Sequence, residues 1–385
     1  MCACYGGGCE LIFGKKRRLA APVLTAPRDS FRWEDHLSAG SAMERRLYQS
    51  LRESVPLIDA ALYRIERLIG GFSVECPQQE AQQGLQSFLR SVRVNAGQCG
   101  MDSFLTGYLD QLLTFGSAVG EIVPTVDGGE IFALYNASLD GVEICRGDNP
   151  LEAVIRRKEA GGSVPVEYPE RILFTAFNPP PGEILGTSIL RGLPFVSRIL
   201  LTIFKTIGTN WERVGNVRFA VTYKPGSEGE RAFGRERAQQ IAAEWSRAMQ
   251  EGPGVSDFVS VGDVSVKVIG ADNQILDSEI PVRQMMEQMV AKLGVPPFLL
   301  GLSWSTTERM SAQQADLLTS ELEDYRRILQ PALARICAYW LGIHGFSPEH
   351  RIVWDTISLR DEEELASARL ANAQAEKIER ELEGM

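Results

Sequence analysis

With 385 residues, 44% of them hydrophobic and 23% charged, the chain has enough apolar content for a sizeable core and length for more than one domain. Its formal net charge of −10 argues against a protein that grips nucleic acid by neutralising phosphates, because affinity of that kind grows with each basic contact. Seven irregularly spaced cysteines (Cys2, Cys4, Cys9, Cys76, Cys99, Cys145 and Cys337) argue against a disulfide framework, and no histidine stands near the first three to suggest zinc.

Residues 1–45 offer little to bury: Gly6 to Gly8, Pro22, Pro27 and the basic run Lys15 to Arg18 predict a flexible arm. That run is a solvated tail or, more sharply, an arm touching nucleic acid or a neighbouring subunit. The apolar run Leu11–Phe13 is too short for a signal peptide and precedes the basic residues. From Met43 onward, Leu47, Leu51, Val55, Ile58, Ala61, Leu62, Ile65 and Leu68 predict an amphipathic helix pair about Pro56, stopped by Gly70-Gly71. Phe72–Glu75 reads as a strand. Phe88, Leu89 and Val92 mark a second helical stretch, and Phe104, Tyr108, Leu109, Leu112 and Leu113 a third. Asp127-Gly128-Gly129 sits at the tip of a hairpin, and Val142–Cys145, Ala153–Arg157 and Ile172–Ala176 add strands. Helices followed by a mostly antiparallel sheet make an α+β pattern.

After the proline-rich break at 178–182, Gly186-Thr187-Ser188 is expected to open a helix, with Thr187 or Ser188 as N-cap. It runs to about Val214, roughly 40 Å at the helical rise. Leu190, Leu193, Phe195, Val196, Ile199, Leu200, Ile203, Phe204, Ile207 and Trp211 surround it, so it needs cover on all sides. Arg191, Arg198, Lys205 and Glu212 recur every seven residues as one stripe, which also argues against a membrane span. Residues 216–272 read as a small unit. It has a strand at Val217–Tyr223, a charged helix at Ala232–Met249, and paired strands Phe258–Val261 and Val264–Ile269. Such a unit buries little surface alone.

Met285, Met286, Met289, Val290 and Leu293 predict the next helix, which Gly294 ends and Pro296-Pro297 forbid from continuing. Leu299, Leu300 and Leu302 pin the corner. A polar stretch from Ser303 to Arg309 follows. Ser311 with Gln314 matches a capping box that starts a long helix, bent by Pro331. A short strand at Ile352–Trp354 and an Ala/Glu/Arg-rich helix from Arg360 to Leu382 close the chain. Asp355 to Met385 holds nine acids against four bases, a net of −5.

A helix ending in LGVPPFLLG, a polar loop, then a helix carrying LQP resembles the portal proteins of tailed bacteriophages, in particular the HK97-type group (the HK97-type/SPP1-like portal family). The resemblance covers about residues 50 to 345. It implies an α+β subunit with an α+β wing, a two-helix stem, a small α/β clip, a long kinked helix and a short helical crown. The implied boundaries are an arm at 1–45, wing at 46–186, stem helix 1 at 187–215 and clip at 216–272. Stem helix 2 follows at 273–299, then a tunnel loop at 300–310, the kinked wing helix at 311–345 and the crown at 346–385. It also implies a ring, dodecameric in the virion, at one capsid vertex, assembled in the host cytoplasm. Double-stranded DNA would pass through it without sequence readout. Terminase, the major capsid protein and head-completion or adaptor proteins would be its partners, with no membrane, cofactor or metal. Ser303, Trp304, Ser305, Thr306, Thr307, Glu308 and Arg309 would face DNA as the tunnel loop. Arg191, Arg198 and Lys205 would form the stem stripe, and Lys224, Arg231, Arg235 and Arg237 would line the clip entrance.

No catalytic constellation accompanies these features. His36, His344 and His350 form no ligand pair. The stretch from Gly8 to Lys16 has five residues between its glycines, and Lys16 replaces the hydroxyl a phosphate loop needs. Gly301 to Ser305 lacks the closing glycine of a nucleophile elbow. Two other readings stay open. One is an enzyme of unfamiliar type, with a catalytic α+β domain and a helical dimer interface. The other is a membrane-associated scaffold using the 189–214 helix.

Overall fold

The computed structural model describes residues 41–149, 151–215, 218–223, 235–236, 238–243, 264–269, 278–302, 308–357 and 359. The chain divides into two units, residues 1–194 with 289–385, and residues 195–288.

The first unit opens with helices α1 (Ala42–Ser54) and α2 (Pro56–Leu68). Ser41 caps α1 by accepting from the Glu44 amide at 3.1 Å, and Pro56 occupies the first turn of α2, where its missing N–H costs nothing. Ile58, Ala61, Leu62 and Ile65 on α2 are all at most 1% exposed. Strand β1 (Phe72–Glu75), helix α3 (Gln79–Ser91), the two-residue strands β2 (Arg93–Val94) and β3 (Gln98–Cys99), and helix α4 (Met101–Phe115) follow. Helix α4 is the centre of the core: Phe104, Tyr108, Leu109, Leu112 and Leu113 are fully buried, each stabilising by roughly 1.5–3 kcal/mol.

Helix α4 packs on a five-stranded sheet of order β3-β2-β5-β4-β9, built from β4 (Ser117–Pro124), β5 (Ile131–Ala137) and β9 (Ile172–Ala176) beside the two short strands. The hairpin closes at the expected turn, with Thr125 N donating to Glu130 O at 2.8 Å. Its ladder shifts register at Val123/Pro124, where proline cannot donate. The strand pairs of this sheet are antiparallel except β2 with β5, a parallel pairing that no local sequence signal marks. Between β5 and β9 the chain makes a separate three-stranded sheet of β6 (Val142–Arg146), β7 (Ala153–Glu159) and β8 (Gly162–Pro165). Val142, Ile144 and Ile155 of that lobe pack on a small core of Val119, Leu139 and Ile172.

The long helix predicted to open at Thr187 or Ser188 begins instead at Leu193, as α5 (Leu193–Gly215). Ser188 has another task. Its hydroxyl lies 2.7 Å from Thr114 O and 3.1 Å from Leu113 O, so it serves the carbonyl end of α4, and it accepts from Leu190 N at 3.0 Å. Around it three segments meet. Phe177 N donates to Gly116 O at 2.8 Å, Thr187 N to Phe177 O at 2.7 Å, and Gly186 N to Ser117 Oγ at 3.0 Å. Gly116 turns there at φ +78°, a left-handed conformation that suits glycine.

Helix α6 (Glu279–Leu293) passes into the first unit at Met289, and helix α7 (Glu308–Ile343) runs 36 residues with Pro331 inside it. Proline there leaves the carbonyl of Arg327 without its helical donor. Helix α7 begins three residues before the predicted Ser311. Its Leu322, Leu329, Leu333, Ile336 and Cys337 are fully buried. Strand β12 (Arg351–Trp354) pairs antiparallel with β1. Arg326 of α7 fastens this ribbon: Nε donates to Ile69 O at 2.8 Å and Nη1 to Asp355 O at 2.7 Å, while the guanidinium lies over the Trp354 ring. Burial draws the Arg326 pKa below its ordinary value. The predicted helix at 360–382 lies outside the described residues.

The second unit contains α5 from Phe195, β10 (Arg218–Tyr223), helical residues 235–236 and 238–243, β11 (Val264–Ile269) and α6 up to Gln288. β10 pairs antiparallel with β11 over six residues, from Arg218 opposite Ile269 to Tyr223 opposite Val264. The partner expected for β11, Phe258–Val261, lies outside the described residues.

Candidate functional site

The corner that leads into the candidate tunnel loop is built from α6 and α7. Met289, Val290 and Leu293 anchor the end of α6 in the first unit. Gly294 N closes the last turn on Val290 O at 3.0 Å. Val295 is 1% exposed, and residues Pro297–Leu300 form a single 3-10 turn that packs on α2. Leu299 N donates to Pro296 O and Leu302 N to Pro297 O, so the proline pair is held by the backbone carbonyls it leaves free. Val295, Pro296 and Pro297 are buried whereas Leu299, Leu300 and Leu302 are only half-buried, so the valine and the prolines, rather than the expected leucines, fix where the polar segment leaves.

Of the predicted loop residues, Ser303, Trp304, Ser305, Thr306 and Thr307 lie outside the described residues. Glu308 and Arg309 open α7 and Arg309 is exposed, so the polar connection is shorter than the 300–310 span expected from the sequence. Helical structure reaches back to Glu308, three residues before the Ser311 start expected from the capping-box pattern.

The cationic stripe is also shortened. Arg191 lies in the turn before α5, in the first unit, while Arg198 and Lys205 lie on α5 itself and are exposed. Arg198 sits 5.8 Å from the centre of the Phe195 ring. The hydroxyls of Thr202, Thr206 and Thr209 bond back to the carbonyls of Arg198, Thr202 and Lys205. At the candidate clip entrance Arg235 is exposed on its helical segment, whereas Lys224, Arg231 and Arg237 lie outside the described residues.

Helix α5 leaves large apolar side chains open: Phe195 is 61% exposed, Phe204 47% and Trp211 63%, and Leu201 is open as well. Exposed aromatic side chains of this size are the kind that association covers. No helix among the described residues is long and apolar enough to cross a membrane, and no group of three or more His, Cys, Asp or Glu among them is placed to hold a metal ion. Two features carry no signal in the sequence: the junction at Gly116, Gly186 and Ser188, and a half-buried charge cluster between α1, α2 and α4. Each joins residues far apart in the chain.

No protein-family model and no curated protein matches the sequence. Solved structures do match. A chain of the neck of the empty gene transfer agent (GTA) particle, computed with C6 symmetry, superposes with a TM-score of 0.64 at 17% identity, over 87% of this chain and 91% of that one. A chain from the virion of the native GTA particle gives 0.60 at 17% identity, over 86% and 88%. One from the neck of the native particle, computed with C12 symmetry, gives 0.57 at 17% identity, over 86% and 93%. This chain shares the fold of those particle and neck chains along most of its length.

Proposed function

We propose that this chain is a portal subunit: copies assemble into a ring, twelve in the virion, at one capsid vertex, and double-stranded DNA enters and leaves through the central hole. The observation that carries the reading is the fold held in common with chains of the virion and neck of the GTA particle across almost nine-tenths of the chain. Two further observations support it. The order of corner, polar connection and proline-containing helix matches the portal pattern, and α5 exposes aromatic side chains that a ring would cover. In this reading α5 and α6 form the stem and the β10–β11 unit forms the clip, which docks terminase and later the head-completion proteins. Contacts with the major capsid protein complete the vertex. The acidic balance suits a conduit, since tight phosphate pairing would stall a sliding duplex. The subunit supplies no bond-breaking chemistry; energy for packaging comes from the ATPase partner.

Purified protein is expected to run as a large ring with a central hole by light scattering and negative-stain microscopy; a monomer or dimer at all concentrations would overturn the reading. Ser303, Trp304, Ser305, Thr306 and Thr307 are assigned to the DNA-facing loop, with Glu308 and Arg309 following at the start of α7. Replacing 303–307 with a Gly-Ser linker should leave the ring intact and lower packaging by tenfold or more. Unchanged packaging would remove the loop from that role.

A further inference from the structure

Three helices of the first unit converge on one arginine. Arg52, in the last turn of α1, donates through Nε to Asp59 Oδ1 of α2 at 2.9 Å. Its Nη1 reaches Asp110 Oδ1 and Thr114 Oγ1 of α4, at 2.5 and 2.9 Å. Asp59 and Glu66 stand seven residues apart on α2, two turns along one face, and Asp110 and Thr114 stand four apart on α4. Glu66 is 5% exposed, its Oε1 is buried with no hydrogen-bond partner among the described residues, and the carboxyl of Asp110 acts on it as its strongest charged neighbour. The cluster therefore sets three carboxylates against a single cation. Among the described residues, the Pro297–Leu300 turn also packs on α2 and brings Pro, Phe and Leu, which carry no charge, and the charge at the far end of α2 is Arg326 of α7, which donates to Ile69 O.

Fully ionised, the cluster would hold two uncompensated negative charges; Asp59 and Asp110 are partly open to water, but Glu66 is buried, and a charge there is expensive. With no metal-holding group among the described residues, the remaining way to lower the charge is a proton. We propose that Arg52, Asp59, Glu66 and Asp110 form a proton-held clasp across α1, α2 and α4, in which a neutral Glu66 donates to Asp110, and that loss of this proton loosens α2 and the Pro297–Leu300 corner resting on it. The reading does not depend on the portal assignment. Burial, and next the Asp110 charge, push the Glu66 carboxyl up from 4.5 to about 8. The sign follows: the closed cluster keeps a proton that an opened, hydrated one releases. Opening therefore becomes easier as pH rises from the ordinary carboxyl range towards 8 and levels off above it.

Hydrogen exchange of the full chain, read by mass spectrometry in α2 and residues 295–302 and corrected for the intrinsic rate, tests the clasp. In the wild type the opening constant should climb about tenfold per pH unit between pH 6 and 8 and then flatten. Glu66→Gln, which copies the neutral acid, should abolish the climb while α3 and α7 are unaffected. Asp110→Asn removes the charge beside Glu66 and should move the upper end of the climb to lower pH. A wild type without the climb overturns the proposal, as does an equal climb in Glu66→Gln. Were Glu66→Gln unable to fold, an unmoved upper end in Asp110→Asn would overturn it equally.

Discussion

Alanine at Gly186 is expected to destabilise the first unit by about 3–5 kcal/mol, among the largest effects of any single methyl group added to this chain. The added Cβ would lie 1.9 Å from Gly116 O, 2.4 Å from Phe177 N and 2.5 Å from Phe177 O. All three are backbone atoms, so no side chain can swing away to make room. Relief requires separating segments held by the Phe177–Gly116, Thr187–Phe177 and Gly186–Ser117 hydrogen bonds. Buried backbone groups that lose their partners add their own desolvation cost. Chemical denaturation monitored by circular dichroism measures the effect. Gly342→Ala is the control: that glycine lies in α7 with nothing within 4 Å of the point where a methyl group would stand, and alanine there should be neutral or stabilise by up to about 1 kcal/mol. Equal midpoints for the two variants would show that the three segments do not meet in this way.

The second large effect concerns assembly. The double variant Phe204→Glu, Trp211→Glu is expected to abolish the ring while leaving the single chain folded. Both rings stand open on α5, so charge at these positions costs the isolated subunit little. In an interface the same changes exchange two buried aromatic surfaces, each stabilising by roughly 1.5–3 kcal/mol, for two carboxylates stripped of water. Closed rings repeat that loss at every contact. Light scattering should report the subunit mass, and the far-UV spectrum should match the wild type. A persisting ring would assign the α5 face to some other contact.

What the sequence reveals in advance follows from the range of the forces involved. Helix α2 is legible because Pro56 and the spacing of Ile58, Leu62 and Ile65 are local signals, and so is the hairpin at Asp127-Gly128. The corner at Gly294, Pro296 and Pro297 is legible because these residues leave the backbone few options. Ser188 misleads, since a serine ahead of an apolar run looks the same whether it caps its own helix or closes one 75 residues earlier. Strands β2 and β3 have two residues each, too few for any alternation to register. The clasp is invisible for a related reason. Arg52, Asp59, Glu66 and Asp110 each read as the polar side of a helix, and only tertiary packing turns those sides toward one another. Of the candidate DNA-facing residues, the sequence spacing locates the connection but overruns into α7 at Glu308 and Arg309, because helix starts are weakly marked.

The β6–β8 lobe joins the rest of its unit by two stems placed close together. β5 ends at Ala137 opposite Val119, and β9 begins at Ile172 opposite Glu121, on either side of the same strand β4. Two strand spacings and two residues separate the stems, about 12 Å. Evolution can therefore enlarge, shrink or exchange everything between them without rethreading the principal sheet. The same geometry makes the Glu159–Gly162 bend a suitable graft point for a purification tag or a fluorescent label.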